Sequence, residues 1–256
     1  MSAGVTYVYW LRGDAHRDML IASARSVGRY HPGAATTALV DDETPLDEPG
    51  LTVVRMPELG HEPPMVANVA AQCRYLEELA RDGDAVTFID ADTLLLRPLT
   101  FDADLGVTWR HHEGVDDATG EPITGAARFM PYNYGVLGAR VTPATRGAFR
   151  WLLARVRAMP ARLQAWYGNQ IALATLCGPA PAPGTPGMID PVRVERSPSG
   201  LPDPIVVEQR PCARFNHTPE RLDEALDGVH LLHFKGRRRA WMIPFAERIG
   251  VPFPGD

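Results

Sequence analysis

Apolar and polar positions alternate with two different periods along the first part of the chain. Residues 5–11 are an apolar, β-branched and aromatic run that predicts a strand. Met19, Leu20, Ser23, Val27 and Tyr30 then recur at helical spacing, with Asp14 placed to cap that helix and His31-Pro32-Gly33 to end it. Residues 36–40 and 51–55 predict two more strands. A helix is expected over 65–81, with Val66, Val69, Ala70, Cys73, Leu76 and Leu79 on its inner face. Next, Ala85-Val86-Thr87 leads into Phe88-Ile89-Asp90-Ala91-Asp92-Thr93, a buried strand with two carboxylates at its mouth. Such alternation predicts an α/β fold with a mostly parallel central sheet flanked by helices on both faces.

The pattern loosens afterwards. Residues 105–109 and 134–137 read as strands, 146–158 and 163–176 as helices, and 111–128 as a polar, glycine-bearing hairpin or loop. Eight prolines between 178 and 204 predict an irregular arm that forms neither a helix nor a central strand. A further helix over 219–226 and a strand over 229–234 need the main core to pack against. No internal repeat is visible.

Composition narrows the class. A chain of 256 residues, 45% hydrophobic and 22% charged, can bury a full core, most simply as one domain with extensions. The net charge of −5 argues against a general nucleic-acid binder. Cys73, Cys177 and Cys212 are widely spaced and odd in number, which predicts free thiols in a reducing compartment. The first residues lack the pattern of a signal peptide, and no run approaches the ~18 apolar residues of a membrane span. The expectation is a soluble, cytoplasmic protein.

Candidate chemistry starts at Asp90 and Asp92. Side chains alternate along a strand, so the two carboxylates point the same way and can grip one hard cation that also holds a diphosphate. With 18 aspartates in the chain, chance supplies about one such pair. Asp82-Gly83-Asp84 and Asp102-Ala103-Asp104 are the decoys, because neither has an apolar lead-in. The run ending in His233-Phe234, followed by Lys235-Gly236-Arg237-Arg238-Arg239, adds an imidazole at a second strand end, a permissive glycine and cations suited to phosphate.

In this order, Asp-x-Asp after an apolar strand, Asn133-Tyr134-Gly135-Val136, Gly168-Asn169-Gln170 and His233-Phe234-Lys235-Gly236-x-x-Arg239-x-Trp241 resemble glycosyltransferases of the GT-A fold, closest to the glycogenin and lipopolysaccharide galactosyltransferase family. The resemblance implies a single GT-A (Rossmann-like) domain over 1–256. Residues 1–110 would form the nucleotide-sugar half, and 111–256 the acceptor half with the proline-rich arm and the basic C-terminal segment.

The metal ligands it implies are Asp90, Asp92 and His233, with Mn2+ (or Mg2+) as the ion. Gly236 would lie beside the donor diphosphate, Arg239 would bind it, and Arg74 would reach the donor from its helix; Lys235, by its own chemistry, adds a mobile point charge there. Asn133 would contact the transferred sugar or acceptor. Trp10, Leu11, Arg12 and His16 occupy the place of the nucleotide-binding loop, with Trp10 and His16 able to stack on a base. Asn169 stands where an aspartate is common. An amide cannot be a nucleophile or base, which fits a front-side reaction in which Gln170 supports the developing positive charge on the sugar.

The expected function is therefore metal-dependent sugar transfer from a nucleoside-diphosphate sugar, UDP-sugar first, to a sugar, lipid-linked or small-molecule acceptor, with retention of configuration implied by the family. The basic, aromatic tail 237–245 suits peripheral contact with a membrane surface as well as packing as a terminal helix. Two other readings stand beside it. Residues 86–93 also resemble the nucleophile motif of haloacid dehalogenase-like phosphatases, with Asp90 as nucleophile and Asp92 as acid. Asn169 also fits a noncatalytic nucleotide-sugar-binding module.

Overall fold

The computed structural model describes residues 4–110, 130–181 and 191–254. The polar excursion expected at 111–128 lies outside them, as does part of the proline-rich arm. The strands are β1 (Val5–Leu11), β2 (Ala35–Val40), β3 (Leu51–Arg55), β4 (Ala85–Ile89), β5 (Thr93–Leu95), β6 (Leu105–Trp109), β7 (Tyr132–Arg140), β8 (Val192–Arg196), β9 (Ile205–Pro211) and β10 (Leu231–His233). The helices are α1 (Arg17–Tyr30), α2 (Pro64–Arg74), α3 (Pro143–Arg157), α4 (Ala161–Ala165), α5 (Gly168–Cys177), α6 (Cys212–Phe215) and α7 (Met242–Arg248).

Eight strands make one sheet in the order β3-β2-β1-β4-β7-β6-β9-β8, and β10 pairs with β5 in a second sheet of two. β1, β2, β3 and β4 run parallel, β7 opposes β4 and β6, and β9 runs parallel to β6 and opposes β8. Six of the eight strands thus share one direction, so their C-terminal ends line one edge where an α/β sheet binds ligands. The sequence-predicted α/β class, with a mostly parallel sheet between helices, is the one observed.

One face is filled by α2, α3 and α5 against Val8, Phe88, Val107, Leu137 and Val207. On the other side α1 covers Tyr7, Tyr9, Ile89 and Val136, and α7 closes a third cluster of Ala22, Leu94, Leu232 and Phe234 with Met242 and Phe245.

Several local expectations need correction. α1 is preceded by His16, whose side chain makes no capping bond. Asp14 contributes only its backbone carbonyl, which accepts from the Arg17 amide. The helix expected over 65–81 changes to a π turn at Tyr75–Leu79, which rotates Leu79 out to 47% exposure. Residues 219–226 form turns rather than a helix. The proline-rich arm does contain a strand, β8, but at the sheet's edge, where missing N–H donors are tolerated.

Candidate active site

β4 ends at Ile89 beside Val136, and the Asp90 amide donates to the Gly135 carbonyl at 3.0 Å. The chain then turns through Asp90-Ala91-Asp92 into β5. Thr93 Oγ1 donates back to the Asp90 carbonyl at 2.8 Å and meets Ser23 Oγ at 3.0 Å, which fixes the turn against α1. His233 arrives from β10, which pairs with Thr93 in the small sheet. The Phe234 amide donates to the Asp92 carbonyl at 2.8 Å. Two strand ends about 140 residues apart in sequence therefore meet.

His233 Nε2 lies 3.2 Å from Asp92 Oδ1 and 3.5 Å from Asp90 Oδ2. One ligand atom from each of the three residues lies within 4.8 Å of the others, the one such group of three metal-ligating side chains among the described residues. Asp92 and His233 are buried, whereas 43% of the Asp90 side chain is open to the cleft. Gly135 makes the space: a Cβ there would sit 2.2 Å from His233 Cε1 and 2.7 Å from Asp90 Oδ2. Two carboxylates and an imidazole around a gap that only glycine leaves suit a divalent cation with hard to borderline preference.

Electrostatics sharpen the picture. Burial works to raise the Asp92 carboxyl, but His233 and Arg239, whose Nε donates to Asp92 Oδ2 at 2.8 Å, overcome it and hold the group well below the carboxylate range. The Asp90 carboxyl goes the other way. Burial raises it and His233 opposes, with Asp92 adding its repulsion; the open side of Asp90 limits how far burial can act. Lys235 is pushed down to about 8 by burial and by Arg110.

The triad opens into a cleft of about 320 Å3 walled by Trp10, Leu11, Arg12, His16, Met65, Asn68, Asn133, Tyr134, Gly135, Trp166, Tyr167, Asn169, Gln170 and Arg239. Most sequence-predicted site residues thus come together. Arg12 donates to the Gly60 and Glu62 carbonyls at 3.2 and 2.9 Å, tying the first loop to the segment before α2. His16 Nδ1 and Asn68 Oδ1 are buried without hydrogen-bond partners. Asn169 Oδ1 accepts from the Gln170 amide at 2.8 Å in the first turn of α5, while Gln170 stays half-buried at the cleft. Gly236 has φ +54°, a conformation that favours glycine, and opens a 3-10 segment that carries Arg239.

Arg74 does not border the cleft. It pairs with Glu58 and, at 2.9 Å, with Glu78. The decoy aspartates are structural as well: Asp82 pairs with Arg146, Asp102 with Arg140 and Arg193, and Asp104 accepts from Thr142 Oγ1.

Sequence reasoning missed Trp166, Tyr167 and Asn68 in the cleft wall and Asn216 and Thr108 behind it. Trp166 is 58% exposed, and its ring meets that of Tyr167 edge-on at 5.4 Å. Tyr167 has φ +69°, alone among the described non-glycine residues, and Gly168 follows where a Cβ would strike the Leu163 carbonyl at 2.5 Å. Left-handed backbone at a bulky residue costs about 1–3 kcal/mol and tends to sit at functional sites. The adjacent aromatics before Gly-Asn-Gln were the available signal. Asn68 gave none, because nothing in the sequence of α2 sets it apart from its other polar residues, Gln72 and Arg74.

Asn216 and Thr108 lie behind the site. Asn216 Oδ1 is 2.9 Å from His233 Nδ1, and its Nδ2 donates to Thr108 Oγ1 at 2.8 Å and to Asn133 Oδ1 at 2.9 Å. Asn133 Oδ1 also accepts from the Gly135 amide at 2.9 Å.

No protein-family model matches the chain, and no curated protein matches its sequence. Solved structures do. The apo structure of the bifunctional glycosyltransferase WbbM aligns over 99% of this chain and 50% of its own, with 12% identity and a TM-score of 0.57. The galactosyltransferase LgtC, solved with donor and acceptor sugar analogues, aligns over 96% of this chain and 94% of its own, with 16% identity and a TM-score of 0.52. The apo form of the glycosyltransferase GlyE from Streptococcus pneumoniae TIGR4 aligns over 100% and 66%, with 12% identity and a TM-score of 0.54. This chain therefore spans half of WbbM and about two thirds of GlyE, but nearly all of LgtC. It has the GT-A-like fold of these glycosyltransferases.

Proposed function

We propose that the protein is a metal-dependent glycosyltransferase that moves a hexosyl group from a nucleoside-diphosphate sugar, UDP-sugar first, to a sugar, lipid-linked or small-molecule acceptor. The observation that carries this reading is the convergence of Asp90, Asp92 and His233 at the C-terminal edge of the sheet, in a cleft shared with Arg239, Asn133, Asn169 and Gln170. The fold shared with LgtC supports it.

In this reading Asp90, Asp92 and His233 hold Mn2+ (or Mg2+), which supplies positive charge against the donor diphosphate. Arg239 and Lys235 add charge there, and the left-handed Gly236 lets the backbone come close. Trp10 and His16 wall the nucleoside end. The amides of Asn133 and Asn169 orient sugar hydroxyls, and Gln170 faces the carbon where positive charge develops. Because Asn169 offers no carboxylate, transfer with retention proceeds on the front side of the sugar, without a covalent intermediate at that residue. A donor role for Arg74 requires it to leave Glu58 and Glu78.

We place the protein in the cytoplasm. None of the described helices is long and apolar enough to cross a membrane. Met242 and Phe245 of the basic, aromatic tail are spent on the core, and Ile243 is left 43% exposed for any contact with a lipid surface.

Calorimetry with a donor and manganese tests the site: wild type should bind, and Asp92→Ala should lose binding while keeping its fold. Unchanged binding in Asp92→Ala sinks the assignment. Labelled donor with a broad acceptor mixture should yield glycosylated product. Binding without product would favour the binding module, and hydrolysis of a simple phosphate ester, lost in Asp90→Asn, would favour the phosphatase.

A further inference from the structure

A metal-binding imidazole must present a lone pair to the ion, so its other nitrogen has to carry the proton. Ring protons and amide orientations are not visible directly and follow from the bonds around them. Around His233 those bonds can be traced to a group whose role is fixed. The Gly135 backbone N–H can only donate, so the Asn133 side-chain atom that it meets at 2.9 Å is the oxygen. That oxygen can only accept, so the Asn216 atom 2.9 Å away is the amide nitrogen. The other end of the Asn216 amide is then its oxygen, 2.9 Å from His233 Nδ1, which must hold a proton. That leaves Nε2, which faces Asp90 and Asp92 at 3.5 and 3.2 Å, as the nitrogen whose proton a cation replaces.

Nothing else described in the site does this. Asn216 is 1% exposed, and its second amide proton is taken by the buried Thr108 hydroxyl at 2.8 Å. The residue is held where it is by the chain: α6 ends on it with a 2.9 Å bond from its amide to the Cys212 carbonyl. The next residue, His217, bonds β10 on both sides, through the Leu231 carbonyl and the His233 amide.

We propose that Asn216 is the positioning residue that holds His233 as the Nδ1–H tautomer with Nε2 free for a cation, and that couples this choice to Asn133 in the cleft wall. The coupling runs in both directions. A ligand that turns the Asn133 amide breaks the chain of bonds that orients the histidine, and a cation on His233 favours the Asn133 orientation observed here. The cation part rests on the functional reading above; the tautomer part does not.

The test starts from metal-free protein, with one pH for all variants. Long-range 1H–15N NMR should show Nδ1 protonated in wild type, so that any unprotonated ring nitrogen is Nε2. Asn216→Ala should shift the ring toward the Nε2–H form, and Asn216→Asp, which keeps an acceptor for Nδ1–H, should restore the wild-type pattern. Manganese affinity, followed by the signal of free Mn2+ in electron paramagnetic resonance, should fall about 10–100-fold in Asn216→Ala and recover in Asn216→Asp. Should Asn216→Ala fail to fold, wild type and Asn216→Asp still decide, since an unprotonated Nδ1 in either overturns the proposal. A folded Asn216→Ala with the Nδ1–H ring overturns it too. Wild type that shows the Nδ1–H ring but binds no manganese would leave the tautomer assignment standing and remove the metal reading instead.

Discussion

Gly135 and Gly138 lie three residues apart on β7, and their missing side chains leave room for different neighbours. A Cβ at Gly135 would meet His233 Cε1 at 2.2 Å, and one at Gly138 would meet the Phe101 ring, its Cγ at 2.2 Å. The same one-carbon change should therefore have separable effects. Gly135→Ala is expected to displace His233 and weaken manganese binding by about tenfold or more, as loss of ligand orientation does. Gly138→Ala should overpack the core and lower stability by about 1–3 kcal/mol, with little effect on metal affinity. Urea unfolding and manganese titration of both variants check this; equal loss of affinity in the two would refute the separation. The sequence showed Gly135 only as part of a motif. That its role is room for His233 depends on a strand almost a hundred residues further along, which no local pattern encodes.

At the level of elements, the far end of the sheet depends on a buried carboxylate. Glu208 of β9 is 0% exposed and accepts from Arg210 Nε at 2.6 Å, from Arg193 Nη2 at 3.1 Å on β8 and from the Asp102 amide at 3.3 Å. Replacing Glu208 with Ala leaves Arg210 and that amide without their acceptor, and the expected cost is about 3–5 kcal/mol. Arg193→Ala removes a half-exposed partner and should cost under about 1 kcal/mol. Chemical denaturation of the two variants measures the difference; similar losses would mean that the buried pair is not what secures β8. This network also explains what the sequence hid. β1, β2 and β4 were legible because an apolar strand buried on both faces writes a continuous run, and edge strand β3 because Leu51, Val53 and Val54 keep a short apolar pattern. β9 contains Glu208-Gln209-Arg210, which reads as a surface segment until the cations that neutralise Glu208 are placed beside it. Residues 219–226 erred in the opposite sense: the segment expected as a helix forms turns, with Leu226 packed against the core and Leu222 left 47% exposed. α2 was found, but its π turn, an inserted residue in the helical period, left no mark in composition.

Over the whole molecule, the cleft is assembled from segments that run from Trp10 to Arg239. The order of short motifs along the chain was therefore more informative than any one of them, since a common fold is what brings such separated pieces to one edge. A ligand that touches all of these segments ties the two ends of the chain together in the native state alone, and such binding raises stability by mass action. The two bound species should also depend on each other. Asp90 and Asp92 stand close enough to repel, and a donor diphosphate placed beside them adds more negative charge unless a cation intervenes. Manganese alone and donor alone should each move the melting temperature slightly. Together, at about a hundred times the dissociation constant, they should add roughly 2.7 kcal/mol, or about 5–10 °C for a chain of this size. A panel of UDP-, GDP- and dTDP-sugars in a thermal-shift assay reads this directly, and the base that gives the largest cooperative shift identifies the donor. Asp90→Asn relieves the repulsion but removes a ligand, so donor alone should shift it as much as donor with manganese does. A metal-dependent shift that survives in Asp90→Asn would place the cation elsewhere. A full shift of wild type in the presence of a chelator would show that Arg239 and Lys235 carry the diphosphate by themselves.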